Sequence, residues 1–139
     1  MARAAFETLE VYQLSEKVAD EIWNIAIKWN PFARDTVGKQ IVRSADSIGA
    51  NIAEGFGRGT VPDNKRFVRT ARGSLNETIH FLRRAFRRGL VTQRDVRKLK
   101  PFVDELGPRL NSYLNAIGTK KSYSTRVVTT NNKPHTTNK

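Results

Sequence analysis

Two glutamates near the middle of the chain are the residues best suited by type to support chemistry. Glu54 closes the run SIGANIAE that begins at Ser47, and Glu77 closes the run ARGSLNE that begins at Ala71. A pair of carboxylates can act as general acid and general base. No nucleophile with a neighbouring base accompanies them in the sequence, so a structural role is favoured and we expect no enzymatic activity.

The other motifs favour neither a cofactor nor a metal. The glycine run that begins at Gly55, G-x-G-x-G, lacks the spacing and the preceding strand of a dinucleotide-binding fingerprint. The chain has no cysteine, and its two histidines belong to no ligand cluster, since His80 stands alone on the polar side of the third helical segment and His135 lies in the tail. A solvated histidine is the favoured interpretation of each. We therefore expect no disulfide, no metal site and no cofactor site.

Charge is the strongest global feature of the 139-residue chain, whose net charge is +12. Residues 58–100 hold thirteen Lys/Arg against three Asp/Glu, whereas residues 1–57 hold six against eight. Ten of those thirteen cations are arginines, whose planar fork suits bidentate contact with phosphate. The block predicts a nucleic-acid-binding face made of Lys65, Arg66, Arg69, Arg72, Arg83, Arg84, Arg87, Arg88, Arg94 and Lys98.

Three alternatives to nucleic-acid binding are open. The block is also compatible with an ordinary solvated helix face, although acidic partners at i,i+4 spacing are almost absent from it. A protein-interaction scaffold that docks an acidic partner would use the same face, with nucleic-acid binding incidental. A membrane-surface role is the weakest alternative, because the apolar stripes are needed for a core. Aromatic residues are not interleaved with the arginines, so backbone contact is favoured over base stacking.

Apolar residues recur at three- and four-residue steps in four segments, which predicts helices at about residues 8–29, 35–54, 62–88 and 92–117. Asn30-Pro31 is expected to end the first helix, and Asp35 to cap the second. Gly55 is expected to end the second in a left-handed turn. Thr92 and Asp95 form a variant of the capping box before the fourth.

The four segments predict an all-α, up-and-down four-helix bundle over residues 1–118, followed by a flexible polar and basic tail at residues 119–139. Pro101 and Pro108 fall inside the fourth segment, but its apolar spacing stays in phase, which favours one bent helix. No signal core and no membrane-length apolar run is found, so a cytoplasmic location is expected.

Polar side chains flank the apolar stripe of the second helix and form a short patch on the third. Such groups need partners when two helices pack, and satisfied networks specify register more than they add stability. We predict a hydrogen-bonded network at the junction of these helices, or between subunits, with Arg43 or Arg58 balancing the carboxylates. Its members are Arg43, Ser47, Asn51, Glu54, Ser74 and Glu77.

Three motifs carry a resemblance to a known family. They are F-x-x-L-x-V-Y from Phe6, S-I-x-x-N-I-A-E-G from Ser47 and A-x-G-S-x-x-E from Ala71. The chain resembles the four-helix-bundle proteins encoded within intervening sequences of bacterial large-subunit ribosomal RNA genes. The accessory variability proteins of diversity-generating retroelements look like relatives of the same fold. The likeness covers residues 6 to about 117, and the run Asn-Ile-Ala-Glu-Gly is its most specific part.

The resemblance implies a basic homo-oligomer, a pentameric barrel of bundles, that performs no chemistry of its own. In the retroelement relatives the barrel accompanies a reverse transcriptase and contacts nucleic acid, so RNA or a cDNA/RNA intermediate and a reverse transcriptase are the implied partners. The first helix also shows Tyr12, Ala19, Trp23 and Ala26 beside its core stripe. A monomer would leave this apolar surface in water, which independently predicts self-association.

Overall fold

The computed structural model describes residues 2–119, and every regular element in this range is helical. A 3₁₀ turn at Ala5–Thr8 leads into α1, Glu10–Ala26. The second helix, α2, consists of the consecutive segments Pro31–Ala33, a π-helical Arg34–Gly38, and Lys39–Gly57. The third and fourth helices are α3, Val61–Arg87, and α4, Gln93–Ala116. The predicted all-α four-helix bundle is confirmed, and the predicted tail lies almost wholly outside the described residues.

Each helix runs antiparallel to its neighbours, as specific contacts between them show. Ser47 of α2 meets Ser74 of α3, and Ser44 of α2 meets Thr78, so the residue numbers run in opposite directions. The same reversal relates α1 to α4, where Arg109 pairs with Glu10 while Lys17 lies over the ring of Phe102. These pairings give the up-and-down topology of a bundle with short connections.

The core is one continuous apolar cluster along the bundle axis. Its most deeply buried members include Val18, Ile48, Ile52, Leu106 and Leu110. They come from α1, α2 and α4 at helical spacing, so each helix contributes one apolar stripe. Large aliphatic side chains at these positions supply the main driving force for folding.

The beginning of α2 differs from the prediction. Asn30 Oδ1 accepts a hydrogen bond from the Ala33 amide at 3.0 Å, and Pro31 occupies the first helical turn. Asn30 is therefore an N-cap and Pro31 a helix starter, so the chain re-enters a helix at once instead of at Asp35. The prediction of Asp35 as the cap is wrong, because that residue lies inside the π-helical stretch.

Gly55 has a different role from the one predicted for it. It lies inside α2, which continues to Gly57, and the left-handed φ of +85° occurs at Gly59. A Cβ at Gly55 would lie 2.7 Å from Asn64 Oδ1 and 2.9 Å from Phe67 Cβ. Glycine is therefore needed at Gly55 because α3 approaches the α2 backbone closely, not because of its backbone angles.

The fourth helix is one unbroken element despite its two prolines. Pro101 and Pro108 are both exposed, so the helix carries its missing amide donors on the solvent side. The predicted capping box at its start is confirmed. Thr92 Oγ1 accepts from the Asp95 amide at 3.1 Å, and Asp95 Oδ2 accepts from the Thr92 amide at 3.0 Å.

Candidate nucleic-acid interface

The ten predicted nucleic-acid-binding side chains lie along α3, on the turn after it and in the first half of α4; we call them the basic cluster. Lys65 and Arg84 are half-buried, and the other eight are exposed. The exposed members are Arg66, Arg69, Arg72, Arg83, Arg87, Arg88, Arg94 and Lys98. Most of the cluster is therefore accessible to an external ligand.

Few members of the basic cluster have a partner inside the chain. Arg66 Nη2 lies 3.6 Å from Asp63 Oδ1, and Arg72 Nη1 donates to Asn111 Oδ1 at 3.1 Å. Among residues 2–119, no other member of the cluster forms an ion pair with a carboxylate. Most of the positive charge on this face is thus uncompensated, which raises the local potential.

Two cations on the later part of α4 are neutralised, in contrast to most of the cluster. Arg109 contacts both Glu10 and Glu105 at 2.9 Å, so its guanidinium bridges two carboxylates. Lys100 pairs with Asp104 one turn further along its own helix. Acidic residues therefore accompany the basic ones on the later part of α4 and are scarce around α3, where Asp63 pairs with Arg66.

The Phe67 ring beside the basic cluster is engaged by two arginines. The guanidinium carbon of Arg66 lies 4.5 Å from the centroid of the Phe67 ring, and that of Arg58 lies 5.3 Å from it. A ring engaged by two cations is poorly placed to stack on a base. The surface is accordingly better suited to phosphate contact than to base recognition.

The turn that carries Arg88 is fixed to the core. Gly89 adopts a left-handed φ of +76° and ends α3, while Val91 is buried. The indole N–H of Trp29 donates to the carbonyl of Leu90 at 2.9 Å. This bond joins the end of α1 to the turn, so the basic residues on either side of it have a rigid base.

A cleft of about 610 Å³ opens between the end of α3 and the beginning of α4; we call it the α3–α4 cleft. Its apolar lining includes Ile79, Leu82, Phe86, Val96, Leu99 and Val103. Basic side chains also line it, namely Arg83, Arg84, Arg87 and Lys100. The sequence predicted the three arginines but not the apolar surface beside them. The signal in the sequence was Phe86, a large apolar residue that stands among the arginines and is 43% exposed.

The opposite side of the bundle carries negative charge. Burial raises the pKa of the Asp46 carboxyl above its usual value, and the nearby Asp20 carboxylate raises it further. The pKa of the Tyr12 hydroxyl is also raised, first by burial and then by Glu16, Glu7 and Asp20. In both groups burial is the largest cause and nearby carboxylates add to it, which is the sign expected for acidic groups held close together.

The predicted polar network forms in part. Ser47 and Ser74 share a hydrogen bond at 2.9 Å, and the Asn51 amide donates to Ser47 Oγ at 2.9 Å and to the Ser47 carbonyl at 2.8 Å. The sequence missed a second pair, in which Thr78 Oγ1 lies 3.0 Å from Ser44 Oγ. Thr78 is fully buried and stands at helical spacing between Leu75 and Leu82, so the sequence offers no signal that separates a core position from a hydrogen-bonding one. We call these two hydroxyl pairs, together with the close approach at Gly55, the α2–α3 seam.

Within one chain the charged residues do not join this network. Arg43, Glu54 and Glu77 are exposed, and Glu54 Oε2 pairs at 3.3 Å with Nη1 of Arg58, which is one of the two cations predicted to balance the carboxylates. The prediction that the carboxylates belong to the intrachain junction is therefore wrong, because the polar flank of α2 turns toward solvent beyond Asn51. The alternative of a network between subunits stays a prediction.

The remaining sequence candidates show no assembled catalytic or metal site in the described part of the chain. Residues 2–119 contain no group of three or more side chains placed to hold a metal ion. His80 is exposed, and its ring packs edge-on against Phe81 at 5.1 Å, while His135 lies outside the described range. No helix in that range combines the length and the apolar character that membrane crossing requires.

Comparison with known proteins finds a matching protein family and a similar crystal structure. A family model described as 23S rRNA-intervening sequence protein matches residues 7–112. The chain is also similar to a crystal structure of a protein of unknown function from the S23 ribosomal protein family of Bacteroides thetaiotaomicron. The two share 27% identity and a TM-score of 0.66, over 75% of this chain and 97% of the other. No curated protein matches the chain.

Proposed function

Because the chain belongs to the 23S rRNA-intervening sequence protein family, we propose that it is a non-catalytic protein that binds the backbone of RNA or DNA through its basic cluster. The observation that carries this proposal is the scarcity of acidic partners around α3, where Asp63 alone pairs with a member of the cluster among residues 2–119, while Arg109 on the same bundle contacts two carboxylates. A chain that only needed solubility would gain from pairing these arginines, since like charges at i,i+4 spacing destabilise a helix.

Phosphate contact accounts for the composition of the cluster. Arginine binds phosphate in a bidentate manner and is weakly hydrated, so it loses less on leaving water than lysine does. Each phosphate neutralised releases condensed counterions, which makes binding strong at low salt and weak at high salt. Contacts of this kind carry no sequence information, so we expect little discrimination between sequences.

Self-assembly forms the second part of the proposal. Trp23 and Ile27 on α1 are 53% and 48% exposed, which is unusual for large apolar side chains on one helix face. A homo-oligomer would cover them and would also repeat the basic cluster, so that several weak contacts act together. The pentameric ring and the reverse transcriptase partner rest on the retroelement likeness and stay predictions.

The test removes charge from the cluster and compares an equal removal elsewhere. The first variant carries Arg69→Gln, Arg88→Gln and Arg94→Gln, all exposed and without an ion pair among the described residues. The control carries Lys28→Gln, Arg34→Gln and Lys39→Gln, which are exposed on the other half of the chain. Binding to a mixed-sequence RNA is measured by filter retention across a range of salt concentrations.

For the cluster variant, the slope of log affinity against log salt concentration should become shallower by about 0.7–0.9 for each phosphate contact removed. The control should keep the wild-type slope despite the same change in net charge. Equal losses in both variants would mean that only overall charge matters and would overturn the assignment of a site. An acidic protein that binds the cluster saturably, with no RNA retained at low salt, would favour the scaffold alternative.

A further inference from the structure

The α3–α4 cleft is an apolar surface that no part of residues 2–119 covers. Its apolar side chains Ile79, Leu82 and Val96 are only partly buried, and Phe86 is 43% exposed. A rim of arginines surrounds this floor. Protein interfaces are enriched in aromatic residues and arginine, and a partly buried apolar floor with a charged rim matches their anatomy.

One face of α1 carries acidic and exposed apolar side chains, which complement the basic and apolar lining of the cleft. Glu16, Asp20, Trp23 and Ile27 follow one another at steps of four, three and four residues, so they share one face of the helix. We call them the α1 strip. Trp23 and Ile27 are about half exposed and Asp20 is exposed, so the strip offers an aromatic anchor beside carboxylates.

We propose that the α1 strip of one copy docks in the α3–α4 cleft of a second copy. The aromatic and aliphatic side chains of the strip would cover the apolar floor, and its carboxylates would face the arginine rim. This inference rests on the proposed self-assembly and names the two surfaces that produce it. Arg83 and Arg87 then serve the subunit contact, and the rest of the basic cluster serves nucleic acid.

Within one chain, the α1 strip cannot reach the α3–α4 cleft. α1 packs against α2 and α4, while the cleft opens between α3 and α4, so strip and cleft lie on different faces. A contact between unlike faces is heterologous, and its repetition gives a closed ring or an open chain of subunits. Each subunit in a ring would have both surfaces covered.

Electrostatics favour a second copy over other occupants of the cleft. The α1 strip lies in the half of the chain that holds six Lys/Arg against eight Asp/Glu, and the cleft lies in the half with thirteen against three. Burial and the nearby Asp20 carboxylate both raise the pKa of the Asp46 carboxyl, so these two carboxylates lie close enough to repel each other. Docking would bring unlike charges together and exclude water from both apolar surfaces.

The experiment uses two variants that each disable one surface. The cleft variant is Arg83→Glu with Arg87→Glu, and the strip variant is Asp20→Lys with Trp23→Ala. All four positions are exposed, so both proteins should keep the wild-type helical circular dichroism. Mass is measured by light scattering after nuclease treatment, for each protein alone and for an equimolar mixture. Arg69→Glu with Arg88→Glu serves as a control with the same charge change outside the cleft.

We expect the wild type and the control to be oligomers, and each variant alone to have the 15.7 kDa mass of one chain. The mixture should give a species of twice that mass, because one intact strip then meets one intact cleft and no further contact is possible. Variants that keep the wild-type mass, or that stay monomeric when mixed, would overturn this interface and leave self-assembly standing. A monomeric wild type would overturn both. Loss of RNA binding without loss of mass in the cleft variant would assign the cleft to nucleic acid instead.

Discussion

The helix α3 packs closely against α2 on one side and borders an open cleft toward α4 on the other. Toward α2 the α2–α3 seam is closed, with small residues, paired hydroxyls and a glycine that allows backbones to approach. Toward α4 the helix ends in a cleft of about 610 Å³, where apolar side chains stay half-exposed beside arginines that form no ion pair within residues 2–119. Polar atoms on the seam side are satisfied within the chain, whereas charges on the cleft side are available to something outside it.

We therefore expect residues of the α2–α3 seam to determine stability and residues of the α3–α4 cleft to determine binding. A closed, satisfied contact is costly to disturb, since any added or removed atom leaves a clash, a void or an unpaired group. An open, charged surface has little influence on stability, so its substitution should change binding instead. The predictions below test each side of α3 against that distinction.

The largest effect is expected at the closest point of the seam. Gly55→Ala should lower the free energy of unfolding by about 1–3 kcal/mol, because its methyl group would overlap Asn64 and the Cβ of Phe67. The backbone of Asn64 lies only 3.0 Å from that methyl position, so side-chain rotation alone cannot relieve the clash. Urea denaturation followed by circular dichroism measures the loss.

Gly73→Ala is the matched control for this substitution. Gly73 lies in the middle of α3, is exposed, and has no neighbouring atom within 4 Å of the added methyl group. Alanine should therefore raise the free energy of unfolding by about 0.5–1 kcal/mol through its higher helix propensity. If the two substitutions changed stability by the same amount and sign, the close approach at the seam would not matter.

A smaller effect is expected from the buried hydroxyl pair. Thr78→Val keeps the shape of the side chain and removes its hydroxyl, so we expect a loss of about 1 kcal/mol. Ser44 Oγ keeps a bond to the Ile41 carbonyl at 3.1 Å, which prevents a larger loss. A double-mutant cycle with Ser44→Ala measures the coupling. Thr70→Val, at an exposed site on the same helix, should change stability by less than about 0.5 kcal/mol.

The acidic side of the bundle should give a small effect with a definite pH dependence. The pKa of Asp46 is raised in the folded protein, so its ionised form destabilises the fold above that pKa and has no such cost below about pH 4. Asp46→Asn should therefore raise the melting temperature slightly at pH 7, and the gain should vanish on acidification. The melting temperatures are compared in the Arg83→Glu, Arg87→Glu background, where we expect no subunit contact, so that they report the folding of a single chain. A gain that grew toward low pH would contradict the assigned cause.

The smallest effect on stability is expected at the open side of α3. Arg87→Gln relieves repulsion from Arg83 one turn earlier, so the free energy of unfolding should stay the same or rise by about 0.2–0.5 kcal/mol. The substitution should at the same time weaken self-association at micromolar concentration. A clear loss of stability in the monomer would show that the cleft is a structural contact of the same kind as the seam.

The sequence predicted the helices and the basic cluster because both depend on local pattern. Spacing of apolar residues indicates a helix, and the capping signals at Thr92 follow from a few adjacent residues. Asn30-Pro31 shows the limit of this reasoning, since the same pair can end one helix or begin the next. The choice depends on packing near Trp29, which the local pattern does not contain.

The candidate surfaces were less predictable because they depend on two helices at once. Phe86 and Val96 become neighbours only when α3 and α4 are placed, so their shared cleft has no signature in either segment. The pairing of Ser44 with Thr78 requires the register of α2 against α3 in the same way. Glu54 and Glu77 show the opposite error. The sequence pattern placed them in one network, but both side chains are exposed to solvent.

The salt dependence of nucleic-acid binding tests the central proposal most directly. Filter binding of the wild-type protein to mixed-sequence RNA and to duplex DNA is measured at about 50 and 200 mM salt. If the basic cluster contacts six to ten phosphates, affinity should fall by roughly three to five decades over this range and should hardly depend on base sequence. No measurable binding at the lower salt, or binding that salt leaves unchanged, would contradict the proposal that these arginines hold a nucleic-acid backbone.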